Sequence, residues 1–595
     1  MPRNIIANPL RLWSLGLAAA AASPLSSRQS SSYDYIIVGG GTAGMVVANR
    51  LSEDSEVSVL VVEAGPYAQD NPTVQQPEGL LIFSEWDWAY STTPQTYNNN
   101  NTGYIGGGKA LGGTSAINGM SYGRSQAAVI DAWETLGNEG WSWADLEPSY
   151  IKSTSISPPT ESQMSIGGVT WDPELYSADG PLVLGWRNSS YNEDILVPLV
   201  NETFANLGLP YNFDSESGDM VGLSNPPTEV NPVLNMRDDS ARAYYLPIRE
   251  ARSNLVVMTN TEVSRIRWSS DTENGMVKAN GVELAATSNT TSSTIEAKRE
   301  VILCAGAIKS PMLLELSGVG REEILNQHGI DVVVDLPGVG ENLQDNANIA
   351  FSYTAADNFT DTAYPFAWLT LGDIMSDEDA QTLSNRVSQN ISAYAEVQAA
   401  LTGNSISASV WSEIFTLQHD LIFKSAIPAM QMGTGVTDNV LSSRGWVSAC
   451  FSRGNVHIST NSTASPAINP AYLMHGADLE ILAAISRFIR TLYAQEPLAS
   501  AVTEETSPGF GTVSDDEWPA YLVSAAGGNS HVIGSNAMMP REKGGVVDTE
   551  GKVYGTANVR VIDGSIIPFM MSGPPTATIY AIAEKLSEAI KSSSS

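Results

Sequence analysis

Cysteine, basic charge and long apolar runs are all scarce in this chain. Its 595 residues include only two cysteines, Cys304 and Cys450, which argues against a disulfide-dependent fold and against a cysteine metal site. Cys304 lies in the apolar stretch Glu300-Val-Ile-Leu-Cys-Ala-Gly306 and reads as a buried small hydrophobe in a strand. A single disulfide between the two remains open. Lysine and arginine number 31 against 65 Asp and Glu, a formal net charge of -34. Such a surface repels phosphate backbones and anionic lipid, so nucleic acid is not an expected partner. After residue 22 no stretch reaches the roughly 18–20 apolar residues of a membrane span. With 42% hydrophobic and 16% charged residues, the composition is that of an ordered globular protein. At this length, two packed domains are expected.

The first residues carry an address rather than a fold. Arg3 and Arg11 precede the apolar run Leu12–Ala22, with small residues at Ala20 and Ala22, the pattern of a signal peptide over residues 1–22. Seven N-x-S/T sequons agree with export: Asn100, Asn188, Asn201, Asn289, Asn358, Asn390 and Asn461. The expectation is a secreted, glycosylated protein, monomeric or homodimeric.

A nucleotide fingerprint follows a serine-rich leader. Asp34-Tyr-Ile-Ile-Val38 reads as a strand, then come Gly39-Gly-Gly41-Thr42-Ala43-Gly44, a helical stretch to Leu51, and a second strand ending at Glu63. In this arrangement Gly39 permits the tight turn, Gly41 lets backbone approach a pyrophosphate, and Gly44 allows close helix–strand packing. The helix N-terminus offers N–H groups and a positive dipole end to phosphate. Glu63 is placed to accept from ribose hydroxyls.

The next segment separates FAD from NAD, by resemblance. Gly108-Lys-Ala-Leu-Gly112-Gly-Thr114-Ser-Ala-Ile-Asn118-Gly119-Met120 resembles the flavin-binding signature of the glucose–methanol–choline (GMC) oxidoreductases. Further runs extend the likeness over nearly the whole mature chain: Cys304-Ala305-Gly306, Leu336-Pro-Gly-Val-Gly-Glu-Asn-Leu-Gln-Asp345 and Val561-Ile-Asp563-Gly-Ser565. The last of these resembles the glucose oxidase branch. The resemblance implies FAD contacts from Val263, through its backbone beside adenine, and from Ala305, Asp563 and Thr576. It implies an α/β fold, a Rossmann-like FAD-binding domain with an interleaved substrate domain on an antiparallel sheet. The expected boundaries are 33–125, 235–345 and 540–592 for the first domain, and 126–234 and 346–539 for the second. The family's covalent members commonly attach flavin through a histidine near the second glycine-rich run. None stands before His328, so noncovalent FAD is expected.

Flavin-dependent oxidation of an alcohol needs a base for the hydroxyl proton and donors that place the oxygen. Of the five histidines, His531 occupies the family's base position in Ser530-His-Val-Ile-Gly-Ser-Asn-Ala-Met538. His328 reads as a helix-end cap; His419 and His475 carry no motif. His457, in a strand pattern, is the second choice as base. The usual second His or Asn falls on Pro574, which has no side-chain donor or acceptor. Asn529, Ser530, Asn536 and Ser572 are the substitute donors in reach by sequence, while Asn346 stands where many members have His. Three readings follow: a flavin oxidase or dehydrogenase of a primary or secondary alcohol with His531 as sole base, a non-redox cyclase or lyase with structural FAD, and an inactive binding or storage protein.

Overall fold

Two seven-stranded sheets organise the chain. The structure, a computed structural model, describes residues 31–594 except 78, 188–195, 287–291, 358, 360–362, 465, 510 and 512. The leader at 1–22 and the sequons at Asn188, Asn289 and Asn358 therefore lie outside the described residues.

The first sheet begins with β1 (Ser32–Val38), which leads through α1 (Thr42–Leu51) to β2 (Val59–Val62). The other strands are β3 (Leu255–Met258), β4 (Val263–Glu273), β5 (Met276–Leu284) and β6 (Ser293–Leu303). The order is β3-β2-β1-β6-β5-β4. The β3, β2, β1 and β6 ladders are parallel, with Tyr35 opposite Val59 and Ile36 opposite Val301. From β6 the chain order reverses through the antiparallel β5 and β4. The late strand Val559–Val561 runs parallel to the end of β6. Ile36, Ile37, Leu60 and Val61 are fully buried, because a parallel sheet is covered on both faces and needs apolar residues at consecutive positions. α2 (Gly306–Leu316) follows β6 directly.

The second sheet is antiparallel throughout. It comprises β7 (Ala347–Ala355), β8 (Phe366–Leu369), β9 (Met430–Thr437), β10 (Val440–Val447) and β11 (Val502–Ser507). The order is β11-β7-β10-β9-β8, extended by Gly222–Ser224 on β8, with Gly527–Gly528 paired to the start of β7. The antiparallel helices α3 (Asp377–Leu401) and α4 (Ala408–Phe423) form one side layer. α5 (Gly476–Ala494) lies against β10 and β7. Its apolar stripe, including Ile481, Ile485, Ile489 and Leu492, is buried there, as a helix with one apolar face requires. At Gly445 a Cβ would stand 2.6 Å from Ile485 Cγ2, so glycine sets how close α5 approaches. The final helix, α6 (Pro575–Ser594), packs on α1.

Both cysteines are free and buried. Cys304 sits just past β6 and 3.3 Å from where Gly44 would carry a Cβ. The disulfide left open by the sequence does not form. No described helix is long and apolar enough to cross a membrane.

Candidate active site

A cavity of about 830 Å³ connects the β1–α1 turn of the first sheet with one face of the second. Gly39, Gly41, Thr42, Ala43, Glu63, Thr114, Asn118, Gly119, Val263, Ala305, Asp563, Thr576, His531 and Pro574 all line it. The sequence scatters these positions over more than 500 residues; the fold brings them to one cavity. Gly44, Gly112 and Met120 do not line the cavity themselves. A Cβ at Gly44 would meet the Gly39 carbonyl at 2.0 Å, so its role is packing. Gly112 turns the chain at φ +90° and donates its N–H to the Gly40 carbonyl at 2.8 Å. Met120 is fully buried at φ +63°, held by the Asn118 carboxamide at 3.0 Å.

At the first-sheet end the cavity is a cradle of backbone. No side chain caps α1 at Gly41, so its first-turn N–H groups are left for an anion. A Cβ at Gly41 would meet nothing closer than the Gly113 Cα at 3.7 Å; the glycine leaves the space empty. Glu63 accepts from the N–H of Gly40 at 2.8 Å and of Gly65 at 2.7 Å. Burial nevertheless pushes its pKa up to about 7. Asp563 ties Gly306 N–H (2.9 Å), Ser310 Oγ (2.6 Å) and Ser565 N–H (2.8 Å) into one corner. Asn118 receives Arg237 Nη1 at 2.8 Å on its oxygen and donates to Glu229 at 3.2 Å. The fit to a dinucleotide is good: glycine-lined room, helix N–H groups and a carboxylate at the far end.

At the other end stands His531. Its loop is gathered by buried Asp345, which accepts the backbone N–H groups of Asn529 (3.2 Å), Ser530 (3.2 Å) and His531 (2.8 Å) and the Tyr472 hydroxyl (2.6 Å). The imidazole Nδ1 lies 3.0 Å from Asn346 Oδ1. Asn346 donates its Nδ2 to the Val447 carbonyl at 2.7 Å, so its oxygen is the end that faces the ring. In the Nδ1–H tautomer that oxygen accepts a hydrogen bond from the ring, and Nε2 is the basic nitrogen. Asn529 Nδ2 stands 3.1 Å from Nδ1 and 3.5 Å from Nε2. Burial, with help from the Arg444 charge, lowers the His531 pKa to about 4. The ring is neutral at physiological pH.

The remaining histidines have structural partners. His457 Nδ1 pairs with Glu315 at 2.7 Å and Nε2 with Glu341 at 3.2 Å. Burial opposes its charge, but the two carboxylates outweigh burial and raise its pKa to about 10. A ring already protonated at physiological pH cannot accept a proton, and it does not line the cavity, so His457 is withdrawn as the second-choice base. His328 is the C-cap of the helix Glu322–Gln327, as its sequence context implies. His475 is the N-cap residue of α5, and its ring centroid lies 4.5 Å from that of Tyr394. His419 bonds Asp420 and Ser384.

Of the substitute donors, Asn529 and Ser530 line the cavity. Asn536 and Ser572 are buried behind it. The loop before Pro574 is pinned by Trp368 Nε1, which donates to the Ser572 carbonyl at 3.0 Å. Trp368 and Trp411 are both core residues. Sequence reasoning noted Asn346 but missed that it orients His531, and missed Asp345 as the anchor of the loop. The only signal was their adjacency in the family-like run ending at Asp345. Among the described residues no group of three His, Cys, Asp or Glu is arranged to hold a metal ion.

Two family models match the chain, both described as GMC oxidoreductase, over residues 33–348 and 450–583. The glucose oxidase-like protein fsoC of Humicola fuscoatra is 39% identical over 570 residues, covering 94% of this chain and 95% of that one. A glucose oxidase of Aspergillus carbonarius is 33% identical over 598 residues, covering 98% and 96%. Among solved structures, an FAD-dependent oxidoreductase from Chaetomium thermophilum superposes with a TM-score of 0.86 at 27% identity, covering 95% of this chain and all of that one. By these matches, and with the nucleotide cradle and three of the four family-like runs lining one cavity, the chain belongs to the GMC oxidoreductases and is an FAD-dependent oxidoreductase of small molecules.

Proposed function

We propose that this protein oxidises an alcohol to a carbonyl compound, with His531 as the base. The observation that carries the reading is the neutral, cavity-facing His531, held by Asn346 with Nε2 left basic. FAD, when bound, supplies a two-electron acceptor for the hydride of the carbinol carbon. Nε2 of His531 accepts the hydroxyl proton, and Asn529 and Ser530 are the side chains available to hold the oxygen. Gly39, Gly41, Thr42, Ala43 and Glu63 hold the ADP half; Thr114, Asn118, Gly119, Ala305, Asp563 and Thr576 hold the rest. The cofactor is noncovalent. The discontinuous segments 33–125, 235–345 and 540–592 serve as the FAD domain, and 126–234 with 346–539 as the substrate domain.

The protein is exported through a leader at 1–22. Asn100 and Asn461 are the best-placed glycan acceptors, since both are exposed outside helices. Asn390 lies within α3 and donates its Nδ2 to the Arg386 carbonyl at 2.8 Å. Asn201 lies within the helix Leu196–Asn206 with its oxygen buried.

Pro574 favours a second reading, acid–base catalysis of a cyclisation or lyase reaction without redox turnover. The deciding experiment is anaerobic: purified yellow protein is mixed with aryl, sugar and polyketide alcohols. Bleaching at 450 nm or so, the usual flavin band, with carbonyl product supports oxidation. Product formed while the flavin stays oxidised supports the second reading.

A further inference from the structure

The face of the second sheet that lines the cavity carries one unusual residue. Ser442, Arg444 and Trp446 recur at every second position of β10 and all face the cavity, as strand periodicity requires. Arg444 is opposite Ala350 on β7 and opposite Gly433 on β9. Neither neighbour has bulk or charge to cover a guanidinium. Arg444 is exposed, and among the described residues it forms no ion pair. That isolation is notable in a chain where 65 acidic residues face 31 basic ones. None of the cavity-lining residues contributed by this sheet is Asp or Glu.

Trp446 lies between Arg444 and the base. Its ring is edge-on to His531 at 6.1 Å between centroids and edge-on to Phe366 at 6.3 Å. Its Nε1 is committed to Gln431 Oε1 at 3.1 Å, and the ring is buried but for 5%, so what it offers the cavity is a narrow apolar edge. Residues two apart on a strand are separated by about 7 Å, roughly the length of a substituted benzene ring. The row therefore presents a base, an apolar ring and a cation with no ion pair among the described residues.

We propose that the alcohol substrate carries a carboxylate, received by Arg444, with a flat apolar body along Trp446 and its hydroxyl at His531. This rests on the reading of His531 as the base. A guanidinium recognises a carboxylate through paired N–H donors, a geometry that a neutral amide cannot match. It also offsets locally the repulsion that a net charge of -34 imposes on any anionic substrate. Arg444 is a specificity residue here, remote from the reacting atoms.

The test compares 4-(hydroxymethyl)benzoate with its near-isostere 4-(hydroxymethyl)benzamide on FAD-loaded wild type, Arg444→Gln and Arg444→Lys. Wild type should prefer the benzoate by roughly tenfold or more in kcat/KM, the worth of one charge-assisted contact. Arg444→Gln should erase that preference through KM with kcat little changed, and Arg444→Lys should restore part of it. Equal use of the two alcohols by wild type, or a preference that survives Arg444→Gln, overturns the proposal. If neither alcohol reduces the flavin, benzoate itself is titrated by the shift of the flavin spectrum. Binding weakened about tenfold in Arg444→Gln then upholds the anion site while the alcohol-oxidase reading fails. Benzoate bound equally by both proteins, or by neither, overturns it.

Discussion

Asn346 Oδ1 lies 3.0 Å from His531 Nδ1, and the same carboxamide is locked by its bond to the Val447 carbonyl at 2.7 Å. The second bond gives the first its direction. An asparagine free to flip could offer either an oxygen or an N–H to the ring, but a carbonyl can be met only by the N–H end.

Asn346→Leu should therefore lower kcat by roughly 10–10²-fold, the scale of a misoriented reacting group, while the protein still binds FAD. His531→Ala should lower it by roughly 10²–10⁴-fold, the contribution of a positioned base. Steady-state rates normalised to bound flavin measure both. Full activity in His531→Ala would remove the base from the proposal.

The buried imidazole sets the pH profile. With the pKa of His531 lowered from 6.5 to about 4 by burial and Arg444, the basic form persists well into acid. The acid limb of kcat/KM, which reports the free enzyme, should fall near pH 4. A limb centred at 6.5 would show that the cavity does not desolvate the ring.

His457 should matter to stability and not to turnover. Replacing it by Gln leaves Glu315 buried without its counter-charge, a loss of about 3–5 kcal/mol for a broken buried pair, visible in denaturant unfolding. Rates per bound flavin should be unchanged. Because its folded pKa is raised to about 10, its contribution is complete below the unfolded value of 6.5 and fades as pH rises through 10. Wild type should lose this increment on alkaline titration, and His457→Gln should not.

Two neighbouring glycines should fail in different ways. A Cβ at Gly39 would collide with the Cys304 carbonyl at 2.5 Å in a φ of +103°, so Gly39→Ala should destabilise the apoprotein. Gly41→Val has free space around its Cβ and should fold, yet remain colourless because the side chain occupies the cofactor's place. Circular dichroism with flavin absorbance separates the two. In wild type, acid precipitation should release all the yellow colour; colour retained in the pellet would refute noncovalent FAD.

Pro574→His introduces a donor where the chain has none. Removal of such a donor typically slows a reaction by roughly 10²–10³-fold, so its return should accelerate anaerobic flavin reduction by alcohol. Gly123 would carry its Cβ 3.1 Å from Pro574 Cδ, so the loop is tightly packed and thermal unfolding of the variant should be recorded alongside. Fast reduction in wild type that is lost in Pro574→His would show instead that the proline shapes the substrate cavity.

The amino-acid sequence by itself determined the nucleotide cradle and the family. Gly39, Gly41, Gly44 and Glu63 lie within one βαβ unit, where spacing along the chain is nearly spacing in space. His531 was singled out for another reason: five histidines left few alternatives, and one had family context. The limits were equally local. Gly112 and Met120 stand in the same glycine-rich run as Thr114 and Asn118, and the run alone does not tell that only the latter pair line the cavity. His457 looked like a usable base until Glu315 and Glu341, 142 and 116 residues away, were brought onto its two nitrogens. Tertiary structure alone decided that Asn346 meets His531, that Asp345 gathers its loop, and that Arg444 lines the same cavity with no ion pair among the described residues. Each of these depends on strands and loops far apart in the chain meeting across a sheet. A hydrogen bond between distant residues is a property of that meeting, and residue order does not encode it locally.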